Sequence, residues 1–218
     1  MSDSTTAGPE TRLYLIDGSS YIFRAFFALP SLTNAAGLPT QAIYGFTTMT
    51  QKFLKDHKPE HLVVVLDAGR ETFRNQIAED YKGNRPEAPP DLIPQFPYIR
   101  KVLEAMNISV LEQKGFEADD LIATLAKKFA AHEIEIIIVS GDKDLMQLVG
   151  GSVRILDTMK SKWIGVDQVR EKFGVEPGQV VEVMGLMGDS VDNIHGVKGI
   201  GEKTACALIQ KFLLRKPL

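Results

Sequence analysis

Three apolar runs of strand type each hand over to an aspartate, and that repetition constrains the fold of this 218-residue chain more than any other feature. Leu13-Tyr14-Leu15-Ile16 ends at Asp17, Leu62-Val63-Val64-Val65-Leu66 ends at Asp67, and the run 134–139 meets Ser140-Gly141-Asp142. Short β-branched runs bounded by polar residues read as buried strands. Between and after them the period lengthens. Helices are expected over 19–28, from about Thr40 (Ile43, Phe46 and Phe53 near one face, Pro59 as the stop), and over 98–106, 117–131, 166–173 and 177–187. Further short strands are expected at 108–111, 153–156 and 162–164, and a glycine-punctuated turn from Gly188 leads to a last helix from about Glu202. This alternation predicts an α/β fold, a mostly parallel central sheet with helices on both faces. The working crevice of such a sheet lies beyond the carboxyl ends of its strands, so Asp17, Asp67 and Asp142 are expected to converge there.

Residues 1–11 read as a disordered tail, 12–187 as the α/β domain and 188–218 as a smaller C-terminal unit. The stretch 68–97 is polar, basic in its first half and rich in proline, and reads as one exposed helix and a long loop. So long a loop inside a compact domain points to function. With 44% hydrophobic and 24% charged residues, disordered and fibrous architectures are excluded. The longest apolar runs fall far short of the roughly 20 residues that span a bilayer. The opening MSDSTTAGPE has no basic, apolar leader, and the single Cys206 excludes an internal disulfide framework and a cysteine-rich zinc site. A cytoplasmic protein without membrane contact is expected.

Three local clusters add to the strand-end aspartates. Glu117, Asp119 and Asp120 open a helix, Asp142 and Asp144 lie two apart in SGDKD, and Asp189 and Asp192 lie three apart in MGDSVDN. With Asp17 and Asp67 these are nine acids at strand ends, helix starts or turns. One aspartate at such a place is ordinarily a cap or turn former. Nine at one end of a sheet repel one another and require neutralisation. An all-oxygen donor set fits hard cations such as magnesium or manganese rather than zinc. Two such ions about 3.5–4 Å apart would serve phosphodiester cleavage. The net charge of −3 does not oppose a nucleic-acid substrate: 28 acids less these nine leaves 19 against 25 Lys and Arg, about +6 outside the cluster. Arg70, Arg74, Lys82 and Arg85 beside Phe73 and Tyr81 combine phosphate-seeking cations with stacking surfaces, as single-strand binders do. In Gly196-Val197-Lys198-Gly199-Ile200-Gly201, glycines ahead of a helix start can expose amides to a phosphate.

LIDGSSYIFRAF, GLPTQAIYGF, VVVLDAGRETFR, YKGNRP, GFEADDLIATLA, VSGDKDLMQLV and MGDSVDNIHGVKGIGEKTA resemble, in order, the 5′-nuclease family that forms the N-terminal domain of bacterial DNA polymerase I, within the flap endonuclease superfamily. The resemblance implies a PIN-like nuclease domain with a helical arch over 68–97, followed by a helix-hairpin-helix, and structure-specific removal of 5′ flaps and RNA primers in replication and repair. It implies one metal site drawing on Asp17, Asp67, Glu117 and Asp119, and a second on Asp142, Asp144, Asp189 and Asp192, with Asp120 near both. Lys82 and Arg85, with Asp17 and Asp120, are assigned to the chemical step. Arg24, Arg70, Arg74, Tyr81, Lys82, Arg85, Gly196, Lys198, Gly199, Gly201 and Lys203 are assigned to DNA, with a potassium ion at the hairpin motif and a monomeric state. His195 stands where the family commonly has proline and is read as solvent-exposed, without a catalytic part.

Because the chain ends as FLLRKPL just after the hairpin helix, the C-terminal unit is expected to be incomplete, and a non-catalytic DNA-junction binder is the competing reading. A dehalogenase-type phosphatase needs Asp-X-Asp after the first strand, where Asp17-Gly18-Ser19 stands, and a nucleoside triphosphatase needs a glycine-rich lysine loop that is absent.

Overall fold

The computed structural model describes residues 11–130, 132 and 134–213; most of the expected tail and the last five residues lie outside the described residues. Six strands form one sheet: β1 (Arg12–Asp17), β2 (His61–Val65), β3 (Ser109–Leu111), β4 (Glu135–Val139), β5 (Val153–Asp157) and β6 (Lys162–Ile164). Their order is β3-β2-β1-β4-β5-β6, parallel throughout except that β6 runs antiparallel at one edge. The chain therefore builds outward from β1 to β3, then crosses back to place β4 on the other side of β1. At such a reversal neighbouring crossovers leave in opposite directions and open a crevice at the carboxyl ends. Asp17 is the last residue of β1 and lies at that point, level with Val65 of β2.

The strand alternation divides the core. Leu15, Ile136, Ile138 and Ile155 pack on one face beneath α5 (Ala118–Ala130), α6 (Val166–Phe173), α7 (Val180–Met187) and α8 (Glu202–Leu213). Tyr14, Ile16, Val64, Ile137 and Val139 pack on the other beneath α1 (Gly18–Ala28), α2 (Gln41–His57) and α4 (Phe96–Ala105). All five residues of β4 are buried, as a central parallel strand requires. Among the described residues no helix is long and apolar enough to cross a membrane.

The stretch 68–97 departs from its reading as one exposed helix and a loop. Its helix, α3 (Phe73–Ile77), is a single short turn, and the far end of the stretch belongs to the core. Leu92 and Gln95 are completely buried, and Pro97 sits near the start of α4 rather than before it, where proline loses no hydrogen bond. The helix expected over 177–187 opens with a 3₁₀ turn at Pro177–Gln179, and the turn after α7 contains a two-stranded ladder, β7 (Gly188–Asp189) with β8 (Ile194–His195). That ladder is possible because Gly188 and Gly196 pass back to back. A Cβ on Gly196 would lie 2.3 Å from the Met187 carbonyl carbon, and Gly188 has φ +72°.

Gln95 fixes how the stretch rejoins the body. Its Oε1 accepts from the backbone N–H of Ala42 (2.8 Å) and Ile43 (3.1 Å), and its Nε2 donates to the Asp91 carbonyl (2.7 Å). Those two N–H groups belong to the first turn of α2, where Thr40 offers no side-chain cap. Gln95→Ala leaves both without a partner in a dry environment and is expected to lower stability by about 2 kcal/mol. A thermal or urea melt checks this; an unchanged midpoint contradicts the assignment.

Candidate functional site

Each carboxylate is brought to the crevice by a local device. Asp17 caps α1: Oδ1 accepts from the Ser20 N–H (3.0 Å) and Oδ2 from the Ser20 hydroxyl (2.5 Å). Asp67 lies two residues past β2, and its Oδ1 accepts from the N–H of Ala118 (2.8 Å), tying the strand end to the start of α5. Asp119 and Asp120 occupy the first turn of α5, and Asp142 accepts from the N–H of Asp144 (2.8 Å) within the loop after β4. Asp189 accepts from the N–H of Val191 (2.8 Å), which folds the β7–β8 connection so that Asp192 turns back toward the crevice, 9% exposed.

The nine acids fall into two electrostatic classes. Four have cationic partners. Arg74 grips Asp120 with two hydrogen bonds, at 2.7 and 2.8 Å, and holds it below the ordinary carboxylate range. Lys82 lies 2.7 Å from Glu117 and 3.8 Å from Asp192, Arg85 pairs with Asp192, and Lys143 lies 3.0 Å from Asp189. Asp17, Asp67, Asp119, Asp142 and Asp144 make no ion pair within 4 Å among the described residues. Burial lifts Asp119 to about 8, and the charges of Asp17, Asp142 and Asp67 add to the lift. Burial likewise raises Asp144 to about 6, with Asp142 the next cause, and raises Asp17 against the opposing hydrogen bonds of Ser20 and Ser140. Acids from β1, β2, α5 and the loop after β4 thus press on one another.

The residues present fit a hard cation. The donors are all oxygens, five of the charges are uncompensated, and Asp144 Oδ1 is buried with no hydrogen-bond partner. Among the described residues no three His, Cys, Asp or Glu side chains close around a single point as they stand. Glu117, Asp120 and Asp192 are instead drawn onto Arg74, Lys82 and Arg85.

The arch cations face the same crevice. Lys82 adopts a left-handed conformation (φ 56°), and its N–H donates to the Asp192 carbonyl (2.9 Å). Asn84 donates to the Ser190 carbonyl (2.7 Å) and Asn193 to the Asp80 carbonyl (2.9 Å), which staples this part of the arch to the β7–β8 connection. Arg70 donates to the Arg85 carbonyl (2.8 Å). A cavity of about 440 Å³ lies beneath, between Ile22, Phe23, Leu66 and Phe96 on one side and Arg70, Lys82 and Arg85 on the other.

Several assignments change in character. Tyr81 is not a free stacking face: its hydroxyl lies 3.1 Å from Glu117 and 3.3 Å from Asp192, and Arg74 and Lys82 flank its ring. Buried beside those carboxylates, the phenol is held above its ordinary range. Phe73 packs on Phe116 at 5.7 Å. Arg24 stands apart from the arch cations, over the Tyr21 ring and donating to Thr158 (3.1 Å). Gly196 is required by the close backbone approach to Gly188, whereas Gly199 (φ +83°) and Gly201 face open space ahead of α8, with Lys198 and Lys203 exposed beside them. His195 is exposed within β8, as expected. Lys143 and the hydroxyls of Ser19, Ser20 and Ser140 went unremarked in the sequence. Only Lys143 carried a signal, lying between the two aspartates of SGDKD.

Comparison with known proteins agrees with this architecture. The model of the 5′-3′ exonuclease N-terminal resolvase-like domain matches residues 12–174, and that of the 5′-3′ exonuclease C-terminal SAM fold matches 175–214. The chain is similar to DNA polymerase I of Bacillus subtilis (strain 168), 46% identical over 205 residues, covering 92% of this chain and 23% of the relative. It is also similar to a 5′-3′ exonuclease of Aquifex aeolicus, 45% identical over 200 residues, covering 92% and 69% respectively. The chain thus spans less than a quarter of the polymerase relative. Among solved structures, T5 5′-exonuclease with bound divalent zinc ions matches with a TM-score of 0.75 and 26% identity, over 92% of this chain and 75% of that one. The catalytic core of Rad2 with a DNA substrate shares the fold, with a TM-score of 0.63 and 21% identity over 93% and 62%.

The crowding has a thermodynamic signature. Asp119 titrates near 8 folded against 3.8 as the ordinary value, so the folded chain holds a proton that the unfolded chain has released. Stability in EDTA is therefore expected to fall as pH rises from about 4 through 8. Asp119→Asn removes this contribution. In chelator, parent and variant are expected to melt together at or below about pH 4 and the variant to melt progressively higher toward pH 8; identical pH slopes would contradict the crowding.

Proposed function

Because this chain belongs to the 5′-3′ exonuclease family, we propose that it hydrolyses phosphodiester bonds at 5′ single-strand/duplex junctions, taking DNA flaps and RNA primers as substrates. The observation that carries this reading is the lift of Asp119 by burial together with Asp17, Asp142 and Asp67, four carboxylates from four elements at the strand-order reversal. Such a cluster is tolerable at neutral pH in the company of hard cations. When bound, magnesium or manganese ions supply Lewis-acid stabilisation of phosphoryl oxygens and activation of water. Asp17, Asp67, Glu117 and Asp119 would hold one ion, and Asp142, Asp144, Asp189 and Asp192 a second, with Asp120 near both.

The chain's own cations would then act on the substrate. Lys82 and Arg85, now on Glu117 and Asp192, exchange those partners for the phosphate once the acids turn to a cation, and add positive charge where charge develops in the transition state. Arg74 stays on Asp120 and fixes the first turn of α5. Arg70 and the cavity beneath the arch accept the unpaired 5′ strand, with phosphates on the cations and bases on the apolar wall. Gly199, Gly201, Lys198 and Lys203 at the start of α8 would grip the duplex through its backbone, the turn would hold a potassium ion that adds positive charge there, and the protein would work as a monomer.

A labelled 5′-flap duplex tests this. Cleavage is expected in magnesium and not in EDTA, and Asp142→Ala and Asp192→Ala are each expected to cut turnover by about 10²-fold or more with the fold retained by circular dichroism. Equal binding of flap DNA in magnesium and EDTA, with no product released, would support the junction-binding alternative instead.

A further inference from the structure

Ser140 is the first residue after β4, as Asp17 is the last of β1. Because Ile16 pairs with Val139, the parallel register sets the two side by side. Both are buried, Ser140 to 1% exposed and Asp17 to 4%. The Ser140 Oγ lies 3.0 Å from Asp17 Oδ2 and 3.1 Å from the backbone N of Asp142. A backbone N–H can only donate, so Ser140 Oγ accepts from Asp142, and its own single proton is committed to Asp17. Asp142 Oδ1 in turn accepts from the N–H of Asp144 at 2.8 Å. One dry hydroxyl therefore runs a directed chain through three acid-bearing positions: Asp144 N–H to the Asp142 carboxylate, Asp142 N–H to Ser140, and the Ser140 O–H to Asp17.

We propose that Ser140 is a positioning residue for divalent-cation binding, fixing the loop that bears Asp142 and Asp144 against the carboxylate of Asp17. The inference rests on the metal-dependent reading above. Alanine can make neither bond: it leaves the Asp142 N–H unpartnered and takes one of two hydroxyl donors from Asp17 Oδ2, while Ser20 still holds Asp17, so the acids remain but their relative placement loosens. Threonine retains both functions on the same Cβ. Groups that orient ligands from behind in this way are worth about 10- to 100-fold in metal affinity.

The test is Mn²⁺ binding to the whole chain without DNA, read from the free-ion electron paramagnetic resonance signal, for wild type, Ser140→Ala and Ser140→Thr. Thermal midpoints in EDTA are recorded alongside. We expect Ser140→Ala to bind Mn²⁺ about tenfold or more weakly and Ser140→Thr to restore affinity. The magnesium concentration for half-maximal flap cleavage should rise in parallel for Ser140→Ala. Should Ser140→Ala melt below the assay temperature, Ser140→Cys, which keeps a weak donor, takes its place with the same expected loss. Unchanged Mn²⁺ affinity despite a lowered midpoint, or a loss in Ser140→Thr equal to that in Ser140→Ala, would overturn the proposal while leaving the metal reading intact. A wild-type chain that takes up no Mn²⁺ would overturn the metal reading and, with it, this one.

Discussion

Like charges forced together at the carboxyl ends of β1, β2 and β4 are the constraint around which this molecule is arranged. A parallel sheet whose strand order reverses beside β1 puts Asp17 at the mouth of a crevice, and the strand-to-helix connections deliver Asp67, Asp119 and Asp142 to the same place. Mutual repulsion there weakens the folded chain at neutral pH. The arch cations offset the outer acids Glu117, Asp120 and Asp192, while of the inner five Asp17, Asp67 and Asp142 accept hydrogen bonds from serine hydroxyls or backbone N–H groups and Asp144 Oδ1 is buried without a partner. Local capping that would otherwise be ordinary thus gathers the acids at the crevice where the proposed cations would bind.

The arch and the β7–β8 connection act as one unit in this arrangement. Asp80, Lys82 and Asn84 exchange backbone and amide hydrogen bonds with Ser190, Asp192 and Asn193, and the close passage of Gly188 and Gly196 closes the connection behind them. The cations that reach over the crevice and the last two acids of the set therefore hold fixed positions relative to one another. At its other end Gln95 anchors the stretch into the first turn of α2. The long polar stretch is tied down at its middle and at its C-terminal end, and Arg70, Lys82 and Arg85 form one wall of a cavity whose opposite side is apolar.

The sheet, its helices and the place of the acids were legible in the sequence because each is written locally. The run of β2 and the pairs Asp142/Asp144 and Asp189/Asp192 announce themselves within a few residues. What escaped is carried by partners far apart along the chain. Nothing near Gln95 says that it caps a helix 53 residues earlier, and nothing near Tyr81 says that its hydroxyl will sit between Glu117 and Asp192. Gly196 read as part of a phosphate cradle because glycine signals conformational freedom without telling which backbone approaches it. Ser140 was silent for the same reason: its role exists only once β4 lies beside β1.

The central claim is that the inner acids burden one another until a cation relieves them. Carbon-13 NMR of the Asp119 carboxyl, titrated with pH in EDTA and again in saturating magnesium, measures this directly. In EDTA the account predicts titration near 8, and in magnesium titration several units lower. An Asp119 carboxyl that titrates near 4 in EDTA and ignores magnesium would contradict it.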